Sequence, residues 1–382
     1  MSADERPRAS VKAAWLPELR IARPRRPLTD SWRAVAIAPH GDTLLGFSFR
    51  PRQAEAMGLS PREALGALLA NPFQLIRLGA YWNEIEPEPG AWRPGALDWQ
   101  IEAAERAGLR IILNVGAVKT FGYPEFFAPA HALRPKLREG ALITPAAYPA
   151  LVEAATAFTT RLIERYRGHR AIVAWQVEHE AVDPLGMEHS WRLAAAFVEC
   201  EIAAVRAADP TRPVMLNGFL PTSTVVRAQQ WWRTRDQGDS LAVAQRLADM
   251  VGIDYYPRHA LLGGMNVSAY LDGSDGAASA VARRRLFAWA RGAPGRRLMV
   301  SEGQAEPWEA VTAPPNPSGA AMFTCPPEQV IATYSQWMDW ARAENTPLYA
   351  YLFWGAEYWL LRQRSGDPSY LRAAARVLSE SS

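Results

Sequence analysis

"IVAWQVEHEAVDP", residues 172–184, begins as an apolar run with a β-branched start and ends with Glu178, His179 and Glu180 in consecutive positions. The apolar half reads as a buried strand of the kind found in parallel sheets. A buried strand that closes in charge needs a reason for the charge, and the neighbouring strands supply it.

From about residue 43 onward, short apolar runs alternate with longer amphipathic ones, the signature of repeated βα units. The strand candidates are "TLLGFSF" (43–49), "FQLIRLGA" (73–80), "RIILNVGA" (110–117), "AIVAWQVEHE" (171–180), "PVMLNGF" (213–219), "MVGIDYY" (250–256), "RLMVSEG" (297–303) and "LYAYLFW" (348–354). Helix-like stretches lie between them at 60–70, 97–108, 148–168, 190–209 and 326–345, with Ser60 before Pro61 as an N-cap signal and Gly108 and Gly168 at helix ends. Eight such units predict a single α/β domain, a (β/α)8 TIM barrel over 36–380, with a short N-terminal extension (1–35) and a long Pro- and Gly-containing loop (304–325) after the seventh strand. A doubly wound open sheet calls for a Gly-rich first βα turn, and "FSFRPRQAEAMG" (47–58) has none.

Composition agrees with a large soluble core: 382 residues, 49% hydrophobic and 21% charged. Forty-two basic against 39 acidic residues leave a net charge of +3, too balanced to call for nucleic acid or an anionic membrane. Cys200 and Cys325 have no CxxC or Cys/His surroundings, which argues against a disulfide framework or a Cys-based metal site. With no apolar run suited to a signal peptide or a bilayer span, a cytoplasmic protein is expected. The basic stretch "RIARPRRP" (20–27) reads as a solvated tail.

Chemistry in a barrel sits at the C-terminal ends of its strands. That filter keeps Arg77, Asn114, His179, Glu180, Asn217, Tyr255, Tyr256, Glu302 and Trp354. A lone Glu at a strand end is as well explained by a salt bridge, but Glu180 and Glu302 lie on strands that meet across the barrel mouth. Such a pair suits glycoside hydrolysis: one carboxylic acid protonates the departing oxygen while a carboxylate attacks the anomeric carbon or activates water for it. A metal-dependent hydrolase would want converging His and acidic ligands, whereas the first strand has no His and the six His are scattered, so no metal and no cofactor are expected. Fifteen Trp suit a carbohydrate substrate: Trp82, Trp92, Trp308, Trp354 and Trp359 fall in or near post-strand loops where indoles could stack on sugars, while Trp175, Trp231, Trp289, Trp337 and Trp340 are expected in the core.

These residues resemble the clan A glycoside hydrolases. "WQVEHE" (175–180) is similar to the WQxDNE form of family 42 β-galactosidases and relatives. "IRLGAYWNEIEPEPGAW" with "LDWQIEAAERAGLRIIL", "MVSEG" and "FWGAEYWL" resemble their second to third strands, nucleophile strand and eighth strand, so the likeness runs from 43 to about 360. The resemblance implies a retaining hydrolase of β-linked glycosides working through a covalent glycosyl-enzyme. Glu180 would be the acid/base and Glu302 the nucleophile, with Arg77 and Tyr256 holding Glu302 ionised and Trp354 flooring the reacting sugar's subsite. Asn114 and Trp308 are further expected substrate contacts. His179 departs from the pattern, which has Asn donating to the sugar 2-hydroxyl; imidazole can donate as well. Glu178 is expected to be a buried structural anchor. A transglycosidase would share these residues, and a carbohydrate-binding pseudoenzyme would keep the aromatic residues but lose a carboxylate.

Overall fold

The structure is a computed structural model and describes residues 11–13, 16–22, 30–122, 124–134, 136–183, 189–234, 236–264, 267–308 and 324–381. In chain order the strands are β1 (Val11–Ala13), β2 (Leu16–Ala22), β3 (Leu44–Ser48), β4 (Leu75–Gly79), β5 (Arg110–Asn114), β6 (Leu142–Ile143) and β7 (Ile172–Gln176). They continue with β8 (Arg192–Leu193), β9 (Val214–Phe219), β10 (Met250–Tyr255), β11 (Arg258–Gly264), β12 (Val267–Asp272), β13 (Arg297–Gln304) and β14 (Ala350–Trp354). Eight of them, β3, β4, β5, β7, β9, β10, β13 and β14, close a parallel barrel in that order, and these are the eight read from the sequence.

Alternation of side chains along each strand sorts the barrel interior into layers. The lower layer is apolar: Leu75, Ile112, Ala174, Met215, Met299 and Leu352 pack together and are fully buried. Two residues further along the same strands stand Arg77, Asn114, Gln176, Asn217 and, on β10, Asp254, so the barrel turns polar one layer below its mouth. A register shift marks an extra residue in β13, where Ile253 faces Val300 but Asp254 faces Glu302. Ser301 and Glu302 therefore both serve the barrel interior, a common use of a bulge beside a site.

The five helix-like stretches form helices, Pro61–Leu69, Gly95–Arg106, Pro149–Tyr166, Ala195–Ala208 and Pro327–Ala343. Ser60 caps the first by accepting from the Glu63 amide, with Pro61 in the first turn, as its sequence signal requires. Of the stretch expected as a solvated tail (20–27), residues 23–27 lie outside the described residues, while residues 20–22 belong to β2. Strand β2 pairs antiparallel with β12, with Ile21 opposite Ala269, and β1, β2, β12 and β11 form a four-stranded sheet. The β11–β12 hairpin follows the sixth barrel strand directly, so the chain's first strands buttress a loop at the barrel mouth. Among the described residues no helix is long and apolar enough to cross a membrane. Of the loop expected at 304–325, residues 309–323 lie outside the described residues.

Candidate active site

Glu180, Glu302, His179, Tyr256, Trp308 and Trp354 line one cavity of about 300 Å³ at the C-terminal mouth of the barrel. Arg77 lies beneath it, fully buried. Asn114 ends β5 without lining the cavity, and its Oδ1 accepts the Gly116 amide at 3.0 Å. The aromatic walls are a small cluster of their own, Phe121, Phe219, Tyr256 and Trp354, with Trp308 packed on it.

The strand carrying "EHE" stops at Gln176, earlier than its charge pattern suggests, and Glu178 to Glu180 follow in a bend. Glu178 and Glu180 hold left-handed φ values of 56° and 43°, a region that costs a side-chain-bearing residue on the order of 1 kcal/mol or more. Contacts around the bend impose it. A Cβ on Gly116 would stand 2.0 Å from the Glu178 amide nitrogen, so only glycine lets the β5 loop come this close. Glu178 accepts the Val118 amide at 2.9 Å and the Lys119 amide. Beside it, Glu201 Oε1 accepts the Ala117 amide at 3.1 Å, and burial and then the Glu178 carboxyl hold Glu201 well above the usual carboxylate range. Glu178, accepting two backbone amides, is an anchor and not a group lining the cavity. From the other side, buried Lys119 donates Nζ to the carbonyls of Glu180 at 3.0 Å and Asp183 at 2.9 Å.

Glu302 accepts Arg77 Nη1 at 2.7 Å on Oε1 and the Tyr256 hydroxyl on Oε2. Arg77 is itself fixed: Nε donates to Gln176 Oε1 at 2.7 Å and its guanidinium stacks 4.0 Å above the Phe121 ring. Arg77 and Tyr256 lower the carboxyl as the sequence leads one to expect, yet burial and Asp254 outweigh them and carry Glu302 up to about 8. Glu180 is also pushed well above its ordinary value, by burial and then by the carboxylates of Asp254, Asp183, Glu302 and Glu125. The two carboxyls are therefore distinguished by their donors: Arg77 and Tyr256 favour the anion at Glu302, whereas the strongest charges acting on Glu180 favour the acid.

His179 has a definite protonation state. Its Nδ1 lies 2.9 Å from Asn217 Nδ2 and 3.3 Å from Arg77 Nη2, both donors, so Nδ1 carries no proton and Nε2–H does. Asn217 is oriented by its Oδ1, which accepts Gln176 Nε2 at 3.0 Å and the Glu180 amide at 3.3 Å. Burial, Arg77 and Lys119 hold the imidazole well below its usual pKa, so it is neutral and offers a donor to the cavity. His179, Asp254 and Glu302 bring potential metal-ligating atoms within 4.8 Å of one another. Those facing atoms already have donors: Asn217 and Arg77 on His179, Arg77 and Tyr256 on Glu302, Ser301 and Asn217 on Asp254. The Arg77 guanidinium supplies positive charge where a cation would sit, and the donor set fits an ionised carboxylate better than a metal centre.

One further charged group underlies the cavity. Arg50, just past β3, forks onto Glu306 at 2.7 and 3.0 Å, holds Glu357 at 2.8 Å, and lies 4.3 Å from the Trp354 ring centre. Gly355, at φ 110°, leaves room for Glu306, since a Cβ there would come within 2.4 Å of the Glu306 side chain. All three ionic groups are buried. Arg50→Met strands two buried carboxylates and is expected to cost about 3–5 kcal/mol, read as a lowered midpoint in urea unfolding with an unchanged slope.

Several expectations for aromatic residues are corrected. Trp82 is buried and stacks on Phe158, Trp92 packs at the edge of the same ring, and Trp359 is buried with its Nε1 donating to the Ala305 carbonyl at 2.8 Å; none lines the cavity. Trp231, expected in the core, is 62% exposed on the helix Thr224–Thr234. Tyr255 points outward onto Trp337 and Trp340. Sequence reasoning passed over Asp254, although "GIDYY" places it on the same face as Tyr256 by strand alternation. It also passed over Arg50 and Lys119, which lie beyond strand ends and take their meaning from partners distant in sequence.

The family model for glycoside hydrolase family 42, described as beta-galactosidase, matches residues 70–199. A family 5 subfamily 18 glycoside hydrolase from Streptomyces cattleya, in complex with GlcNAc, is similar at a TM-score of 0.54 and 16% identity over 90% of this chain and 82% of that one. The subfamily 18 protein from Bifidobacterium longum, in complex with Manβ1-4GlcNAc, gives 0.59 and 10% over 88% and 78%. Xylanase 10B from Thermotoga petrophila, in complex with xylobiose, gives 0.52 and 13% over 90% and 98%. No curated protein matches the sequence. At these identities the structural likenesses establish the barrel, and the family match carries the enzyme class.

Proposed function

We propose that this chain, a clan A glycoside hydrolase with a (β/α)8 barrel, cleaves a β-linked glycoside or oligosaccharide with retention of configuration. The observation that carries the reading is the unequal pair: Glu302, held by two donors, and Glu180, pressed toward its acid form, on one cavity wall system. A Glu302 carboxylate oxygen attacks the anomeric carbon as the glycosidic C–O bond breaks, and Glu180 gives its proton to the departing oxygen. Glu180, now a carboxylate, takes a proton from water, whose oxygen displaces Glu302 and regenerates both groups. His179 Nε2–H serves the sugar hydroxyl next to the anomeric carbon, the place held by Asn in similar enzymes, and Trp354 floors the sugar with Trp308 at its side. The free cysteines Cys200 and Cys325 suit work in a reducing compartment.

A panel of aryl glycosides, both anomers of each common sugar, tests this directly. Hydrolysis confined to β-anomers, with the first-formed product also β by proton NMR, is the expected result; an α-product sinks the retaining mechanism. Activity is expected to survive chelator within about twofold, because Arg77 and Tyr256 do the charge stabilisation a metal would otherwise supply. Loss on chelation with rescue by a divalent ion would reassign the His179, Asp254 and Glu302 group.

A further inference from the structure

The loop after β5 folds back on itself. Thr120 donates its amide to the Glu125 carbonyl at 3.0 Å and Phe127 to the Val118 carbonyl at 2.8 Å, with Lys119 paired opposite Phe126. The Asn83 amide, donating to the Phe127 carbonyl at 2.8 Å, ties this hairpin to the segment after β4. Lys119 is fully buried in it, and its ammonium stands 3.8 Å from Glu125 Oε2, beyond hydrogen-bond reach. A buried ammonium needs acceptors, and Nζ finds two in the bend after β7: the carbonyls of Glu180 at 3.0 Å and Asp183 at 2.9 Å.

Both peptide groups of Glu180 are thereby held. Its amide donates to Asn217 Oδ1 at 3.3 Å, and its carbonyl accepts both Lys119 Nζ and the Asp183 amide at 3.0 Å. Between them Glu180 sits at φ 43°, a conformation that it would leave for the ordinary helical region by a rotation of roughly 100° about N–Cα. Such a rotation redirects Cβ, and with it the carboxyl. Hydrogen bonds from a charged donor are about twice as strong as neutral ones, which suits an ammonium to holding a strained turn.

We propose that Lys119 is the positioning residue of the acid/base: by holding the Glu180 carbonyl it keeps the left-handed turn that aims the Glu180 carboxyl at the glycosidic oxygen. The inference rests on Glu180 being the acid/base of a glycosidase. The same hairpin carries Phe121, on which the guanidinium of Arg77 stacks at 4.0 Å, and Arg77 in turn holds Glu302 at 2.7 Å. One loop thus sets the place of both carboxyls, through a side chain for the nucleophile and through the backbone for the acid/base.

Lys119→Met keeps the length of the side chain and removes the donor. For a glycoside with an alkyl leaving group, which must be protonated, kcat/KM is expected to fall about 10²-fold, the scale of a catalytic group displaced by an ångström. For the 2,4-dinitrophenyl glycoside of the same sugar, whose first step needs no proton, kcat/KM should fall by less than about fivefold, while kcat falls further because the second step needs the base. Lys119→Gln, a neutral donor, should fall between Met and wild type on the alkyl glycoside, and it carries the comparison should Lys119→Met not fold. A crystal structure of either folded variant should show Glu180 out of the left-handed region. A loss equal on both substrates, or no loss on either, overturns the proposal, because damage to the fold at large does not distinguish leaving groups. If the wild-type protein hydrolyses no glycoside, the functional reading falls; the Glu180 φ in the variant then decides alone, and a value unchanged from wild type overturns the role given to Lys119.

Discussion

Glu302→Ala is expected to abolish turnover of every glycoside, with a loss in kcat on the order of 10⁶, the scale seen when a covalent nucleophile is removed. No acylal-type bond to the sugar can form without that carboxylate, whatever the leaving group. Small anions offer a second route: azide or formate entering the space vacated by the side chain attacks from the same face and yields a product of inverted configuration. Measuring both the rate with and without azide and the anomer of the product checks the assignment. Residual turnover within about tenfold of wild type would remove Glu302 from the chemistry. The variant has a structural consequence too, since Arg77 loses its partner at 2.7 Å in a fully buried setting. Arg77 is still tied to Gln176 and stacked on Phe121, so the fold should survive while the unfolding midpoint drops.

Glu180→Ala should fail differently. With an activated aryl leaving group that needs no proton, formation of the glycosyl-enzyme persists while its hydrolysis slows by roughly 10² to 10⁴, the range for a lost general base. Azide, which needs no base, should then accelerate turnover and give a glycosyl azide of retained configuration. The same experiment on Glu178→Ala distinguishes the two outer residues of "EHE". Glu178 is committed to the Val118 and Lys119 amides, so its loss should lower stability and give no azide-dependent gain. Azide rescue in Glu178→Ala and not in Glu180→Ala would mean the acid/base had been misplaced by two residues.

The barrel was legible because its evidence is local and repeated: eight apolar runs, each flanked by helical periodicity, survive small errors at their ends. The carboxylate pair was legible for a related reason, since strand ends in a barrel converge whatever joins them. What escaped depends on partners far apart in the chain. Lys119 means nothing until the β5 loop meets the bend after β7, and Arg50 nothing until Glu306 and Glu357 arrive beside it. The positive φ of Glu178 and Glu180 was hidden because Gly116, which permits it, is sixty-odd positions away and looks like any glycine after a strand. Trp82 and Trp359 were misplaced because loop position alone does not say which way an indole turns, and both turn inward.

The pairing of β2 with β12 carries a consequence in time. Ile21 is made roughly 250 residues before its partner Ala269, so at ordinary synthesis speeds of about 5–20 residues per second β2, with only β1 beside it, waits on the order of 10–50 s for the rest of its sheet. Through that interval β2 is an edge with open amides and carbonyls, and it carries Arg20 there, a charged side chain of the sort that discourages edge-to-edge association. The hairpin it finally braces supplies His259, Ala260 and Leu261 to the cavity wall. That part of the cavity wall is therefore braced from two sides, by β2 made long before it and by the barrel, where Gln304 bonds both the amide and the carbonyl of Arg258.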